Sequence, residues 1–241
     1  MYGLIIDTTT KYLTVVIAQN DFVLASYNRL MGQQQGKMLI PVIEKLLKKK
    51  KMPLAQVDYW AVNQGPGSFT GLRIGIAAIK GLGFALNKKI VGFSGLEAMA
   101  IAAGEKIKGL VCPIIDAKRK QVYSAVFRAT AKGPKQQGKY FLGSIEDLIE
   151  VILRQKIFDG NREKIWFSGD GLTLYKDQII QSKLKNFNLR FIREKFWYPE
   201  PKILAKMCFK LMKQGKTQSS KQLQARYLYK NTCTISKKSD K

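Results

Sequence analysis

Residues 2–27 read YGLIIDTTTKYLTVVIAQNDFVLASY, three apolar runs divided by two short polar breaks. Tyr2–Asp7 ends in an acid, 12–18 and 22–27 are β-branched or aromatic in character, and Asn20-Asp21 suits a two-residue hairpin turn. Three antiparallel strands in succession are therefore expected at the start of the chain. Downstream, Leu39, Val42, Ile43, Leu46 and Leu47 fall at i, i+3, i+4, i+7 and i+8, the apolar stripe of an amphipathic helix. Segment 57–63 returns to strand, 70–86 reads as a long helix, 90–93 as a strand and 94–104 as another helix.

The order βββαβαβα is that of one actin-like subdomain of the sugar kinase and Hsp70 type. A meander opens a mixed sheet, and the later strands need helical crossovers. A second, reduced copy begins at Leu110. Segment 110–116 is again an apolar run ending in Asp, 121–128 and 139–142 are strand-like, and 144–154 is a helix opened by a Ser-x-x-Asp capping signal. Segment 165–168 leads as a strand into Gly169-Asp170-Gly171, and 200–213 closes as a helix beside Pro199 and Pro201. The expected fold is thus α/β and actin-like. Residues 1–104 form the first subdomain, 105–231 a reduced second one, and 232–241 a polar tail; 104–109 marks the junction.

Composition narrows the chemistry. The 241 residues contain no histidine, which removes an imidazole base, a Ser-His-Asp relay and a His-ligated metal at one stroke. Three widely spaced cysteines without a CxxC argue against a disulfide framework and a thiolate zinc site, and suit a reducing compartment such as the cytoplasm. No uninterrupted run of 18 apolar residues occurs and the N-terminus has no basic leader, so neither a membrane span nor a signal peptide is expected. Against 17 acids stand 42 Lys and Arg, a formal +25. That field attracts anions, tRNA included, although a lysine-biased composition would produce it too.

Two loops carry the candidate chemistry. Asp7 and Thr8, at a strand end, occupy the place of the first phosphate loop of actin-like ATPases, and the same residues could instead satisfy turn amides. Residues 65–75, Gly-Pro-Gly-Ser-Phe-Thr-Gly-Leu-Arg-Ile-Gly, fix a tight turn and open a helix. Ser68 or Thr70 can cap that helix, and its free N–H groups beside Arg73 could hold an anion. The Lys-Ser/Thr of a Walker A loop is missing. Gly71, Gly75, Gly81 and Gly83 weaken an isolated helix, and they make sense where another backbone, in this chain or in a partner, comes close. Gly169 and Gly171 fall where an adenosine-binding loop would lie. Asp116 falls at the second phosphate loop, but Ala117 and Lys118 stand where glycine would admit phosphate.

The Gly-Pro-Gly-Ser-Phe-Thr-Gly-Leu-Arg-Ile-Gly segment after a first strand ending Ile-Asp-Thr resembles the signature of the TsaB family. The resemblance continues through Gly92-Phe93-Ser94-Gly95-Leu96, Asp116-Ala117-Lys118-Arg119, Val122-Tyr123 and Tyr227-Leu228. It implies a non-catalytic, degenerate relative of TsaD, the threonylcarbamoyltransferase of tRNA N6-threonylcarbamoyladenosine formation, that pairs with TsaD through its N-terminal helices and works with TsaE. On this resemblance Leu39, Ile43, Leu46, Leu72, Gly75, Ile76 and Ile79 are the expected interface, with homodimerisation as the alternative when the chain is alone. No catalytic residue, metal or cofactor is implied; Asp7, Thr8, Ser68, Thr70, Arg73, Gly169 and Gly171 are the candidates for residual nucleotide or anion binding. Members carry a histidine at the start of the first helix, where this chain has Gln33, Gln34 and Gln35. The rival reading is a stand-alone actin-like ATPase or small-molecule kinase, which would need intact phosphate loops and metal-binding carboxylates.

Overall fold

A computed structural model describes residues 1–104, 107–154 and 163–228. The chain forms β1 (Tyr2–Asp7), β2 (Tyr12–Gln19), β3 (Phe22–Leu30), α1 (Gln35–Lys49), β4 (Tyr59–Asn63), α2 (Phe69–Leu86), β5 (Lys89–Phe93) and α3 (Gly95–Ala102). The same order then recurs as β6 (Leu110–Lys118), β7 (Gln121–Arg128), β8 (Lys135–Gly143), α4 (Ile145–Arg154), β9 (Lys164–Ser168), α5 (Leu172–Gln181), β10 (Asn188–Phe191) and α6 (Pro201–Lys213).

Each half builds a five-stranded mixed sheet, β3-β2-β1-β4-β5 and β8-β7-β6-β9-β10. In both, the first strand lies at the centre, antiparallel to the second and parallel to the fourth. This repeated order is the actin-like architecture. The hairpin turn falls at Asn20, whose φ of 53° is the left-handed value that a primed turn needs at its first position. Helix α5 and strand β10 went unread in the sequence, although Leu172, Tyr175 and Ile179 form a buried i, i+3, i+7 stripe.

Strand alternation sorts the core. Leu4 and Ile6 of β1 face α1 and α2, whereas Ile5 faces α3 and α6. Leu204, Ala205, Met207 and Cys208 of α6 pack with Ile5, Val16 and Tyr59 of the first sheet. Helix α6 thus packs on the first sheet, beside α3, because its apolar stripe fits the face opposite α1 and α2. Residues 214–228 follow it. Gln218 bridges Ile90, and Leu223 is buried in the core beneath α2. The tail at 232–241 lies outside the described residues.

The expectation about membrane spans also needs correction. Helix α2, 18 residues with a mean hydropathy of 1.4, is long and apolar enough to cross a bilayer by length and composition. Here its inner face, Leu72, Ile76 and Ile79, lies in the core. Gly71, Gly75 and Gly83 let that inner side pack closely against Thr8 and Ile90.

Candidate functional site

Strand β1 delivers Asp7 into a closed corner, where it is 3% exposed. Its Oδ1 accepts from the Thr9 N–H and the Thr9 hydroxyl, both at 2.8 Å, and its Oδ2 accepts from Asn63 Nδ2 at 3.0 Å. Asn63 completes the network: Nδ2 also donates to Thr9 Oγ1, and Oδ1 accepts from the N–H groups of Gly65 and Gly95. Burial pushes the Asp7 carboxyl above its ordinary range, while the bonds from the Thr9 backbone, Asn63 and the Thr9 side chain pull it back down. Asp7 and Asn63 together thus tie the ends of β1 and β4 to the Gly65 turn and the start of α3.

The first turn of α2 covers this corner. Thr8 Oγ1 donates to the Gly71 carbonyl at 2.6 Å, and the Ser68 N–H donates to the Thr9 carbonyl at 3.0 Å. A Cβ on Gly71 would fall on the Thr8 carbonyl oxygen, so glycine there is a steric requirement. Of the two capping candidates it is Ser68 that caps, accepting from the Gly71 N–H. Asp7, Thr8 and Ser68 are therefore brought together, with Asp7 bonded to Thr9 and Asn63 and with Thr8 and Ser68 bonded to backbone groups. Thr70 and Arg73 point outward; the Arg73 guanidinium lies 3.7 Å from the Phe69 ring centroid, and Phe69 in turn lies 5.2 Å from Tyr227.

Gly169 and Gly171 lie on the second sheet, each against Ile114 of β6. Between them Asp170 accepts from the Asp116 N–H at 3.1 Å and from the Tyr198 hydroxyl at 2.9 Å. The Tyr198 ring meets Tyr12 of the first domain in a tilted contact, centroids 5.1 Å apart. The two loops expected to hold a nucleotide are thus joined by an aromatic pair. At the tip of β6–β7, Lys118, Arg119 and Lys120 all have left-handed φ (64°, 52° and 58°), and Lys118 forms an ion pair with Asp116 at 2.6 Å. Three consecutive long side chains in that region are uncommon, and they stand where a phosphate loop would need an open backbone.

The seven residues expected at a partner interface point the other way. Leu39, Ile43, Leu46, Leu72, Ile76 and Ile79 are at most 8% exposed, and a Cβ on Gly75 would meet Thr8 Oγ1 at 2.6 Å. They form the inward stripe, spent on the sheet. What α1 and α2 present outward is a different set. Ile40, Phe69 and Phe84 are 45%, 51% and 79% exposed, and Ala77, Gly81 and Ala85 of α2 are exposed too. Sequence periodicity finds the inner stripe first, because it holds the most apolar residues. The signal for the outer one was the pair Phe69 and Phe84 off that stripe. The C-terminal segment borders this face: Arg73, Ile76, Ala77 and Lys80 line a groove with Leu223, Gln224, Ala225 and Tyr227.

These features define a protein of the actin-like class in which the acid ending the first strand, Asp7, is bonded to Thr9 and Asn63. The family model for TsaD, tRNA N6-adenosine threonylcarbamoyltransferase, matches residues 29–236. The protein TsaB of tRNA threonylcarbamoyladenosine biosynthesis from Bacillus subtilis is 34% identical over 125 residues, 52% of this chain and 54% of that one. Its counterpart from Haemophilus influenzae is 35% identical over 121 residues, 50% of this chain and 51% of that one. The matched stretch thus spans about half the length of these relatives. A third, from Buchnera aphidicola of Schizaphis graminum, is 27% identical over 212 residues, 86% of this chain and 92% of that one. A solved structure from Pseudomonas aeruginosa, described as similar to peptidase YeaZ, superposes with a TM-score of 0.78 at 23% identity, covering 95% of this chain and 99% of that one. The chain belongs to the TsaB (YeaZ) family, within the TsaD-type group of actin-like proteins.

Proposed function

We propose that the protein is a non-catalytic cytoplasmic subunit that sustains threonylcarbamoylation of tRNA adenosine by docking on TsaD, with TsaE as the third component. One observation supports this reading most. The outer faces of α1 and α2 expose Ile40, Phe69 and Phe84 among small residues, an apolar surface that water alone covers poorly. Aromatic side chains with an arginine beside them, as Phe69, Tyr227 and Arg73 are here, suit the centre of a protein interface. The expected docking helices are retained, with the contact transferred from their inward residues to their outward ones.

The rival reading of a stand-alone ATPase or kinase asks for an acid free to hold a metal-bound phosphate. Asp7 has both oxygens engaged, and the tip at 118–120 is a crowded basic turn. The contribution proposed for this chain is therefore structural. Reconstitution with TsaD, TsaE, tRNA and the threonylcarbamoyl donor tests it: turnover is expected to depend on the chain and to survive Asp7→Asn in any variant that folds. Turnover that needs no added chain would overturn the proposal. Mg-dependent ATP hydrolysis by the chain alone, lost in Asp7→Asn, would replace it with the rival.

A further inference from the structure

After Glu200 the described chain carries seven cations, Lys202, Lys206, Lys210, Lys213, Lys216, Lys221 and Arg226, and no acid up to residue 228. Four of them lie on α6 at spacings of four, four and three, so they line up along one face, and all four are exposed. The opposite face of α6 is buried in the first sheet. Like charges at i, i+4 weaken a helix, and a surface helix ordinarily interleaves acids with its lysines. Helix α4 carries charges of both signs, Glu146, Asp147, Glu150 and Arg154; α6 carries cations alone. The lysine ladder extends about 16 Å at 1.5 Å per residue, enough to meet several phosphates of one nucleic-acid strand. Its setting is not wholly basic: Glu97 of α3 faces Lys210, Lys216 and Arg226, and Lys202 pairs with Glu200 at 2.9 Å.

Position gives the ladder its meaning. Because Ile5 of β1 faces α6 while Leu4 and Ile6 face α1 and α2, the lysines project from the side of the sheet opposite the docking helices. A partner seated on α1 and α2 would not cover that side, where Lys210 also donates to the Lys132 carbonyl at 3.1 Å. We infer that the lysine face of α6 is a contact surface for the phosphate backbone of a folded RNA, the tRNA in the setting of the function proposed above, on which this inference rests. An anionic bilayer fits less well. Helices that lie on membranes put an apolar face into the lipid, and the apolar face of α6 is already used.

The test compares two triple charge reversals in the full chain complexed with TsaD. One is Lys202→Glu, Lys206→Glu, Lys213→Glu; the other, Lys135→Glu, Lys139→Glu, Lys164→Glu, changes net charge equally on the second domain. Light scattering reports the complex, and filter binding of tRNA across a salt series reports affinity. The α6 triple is expected to keep the complex, to lose roughly tenfold or more in tRNA affinity, and to lower the slope of log K against log salt by about two. The second-domain triple should change affinity less than threefold. A Lys→Gln version of the α6 triple should move affinity and slope in the same direction, which guards against misfolding of the reversal. Equal losses from both reversals, or unchanged affinity in the α6 triple with its complex intact, would overturn the inference. So would a loss confined to phosphatidylserine vesicles. Wild-type chain that forms no complex with TsaD would instead count against the docking proposal, and the RNA comparison then stands on the chain alone.

Discussion

Asn63 is the residue on which the closed corner depends. Its amide donates to Asp7 and Thr9 while its oxygen accepts from two backbone N–H groups, so no flip of the amide can improve the network. Asn63→Ala would strip the acceptor from Gly65 and Gly95 and a donor from Asp7. At about 1–3 kcal/mol per buried unsatisfied group, a loss of roughly 3 kcal/mol is expected, measurable by urea denaturation. Asp7 adds a pH signature. Its folded pKa lies above the unfolded value of about 3.9, so the folded state holds the proton more tightly. The Asp7 contribution is then most favourable below that unfolded value, and declines as pH rises from there through the folded pKa. Above the folded pKa it is flat. The wild-type stability minus that of Asp7→Asn should therefore fall with rising pH across this window. A difference that rises would contradict burial as the dominant cause.

Helix α2 shows what a sequence can and cannot say about an element. Its existence, its Ser68 cap and its glycine content are legible from residues 65–86. Which glycine serves which neighbour is not, because that depends on the Thr8–Thr9 turn some sixty residues away. Two substitutions separate the cases. Gly71→Ala puts a methyl group on the Thr8 carbonyl and is expected to unfold or strongly destabilise the chain. Gly81, with nothing within 4 Å of its would-be Cβ, should tolerate alanine and gain up to about 1 kcal/mol from helix propensity. Thermal melts of both variants check the contrast. The same geometry explains why the residues expected at the interface from the family resemblance lie inward. In an amphipathic helix of a small domain the strongest apolar periodicity marks the core, and a docking face shows only as isolated aromatics such as Phe69 and Phe84. Helix α5 and β10 were missed for another reason: the short stripe of Leu172, Tyr175 and Ile179 is interrupted by charged residues, and β10 has four residues, too few to establish alternation.

At the scale of the whole molecule, two mixed sheets of identical order face each other across α3, and the chain closes by sending α6 and residues 214–228 back to the first domain. The duplication was readable because the meander, the capping signals and the apolar runs recur in order. The return of α6 was not, since an apolar helical stripe does not reveal which of two sheets it will cover. That return covers the second face of the first sheet and places the lysines of α6 on the side opposite α1 and α2. The actin-like frame is kept; at the end of its first strand Asp7 is bonded to Thr9 and Asn63, and the rings of Tyr12 and Tyr198 meet in a tilted contact.

The docking of this frame on TsaD is tested most directly by the mass of the mixture. Purified chain and TsaD from the same organism should form a complex by multi-angle light scattering, and Phe84→Glu, a substitution at a 79% exposed position, should raise its dissociation constant at least tenfold while leaving the melting temperature of the free chain within a few degrees. A complex indifferent to Phe84→Glu and to Ile40→Glu would place the contact elsewhere, and wild-type proteins that stay separate would contradict the account.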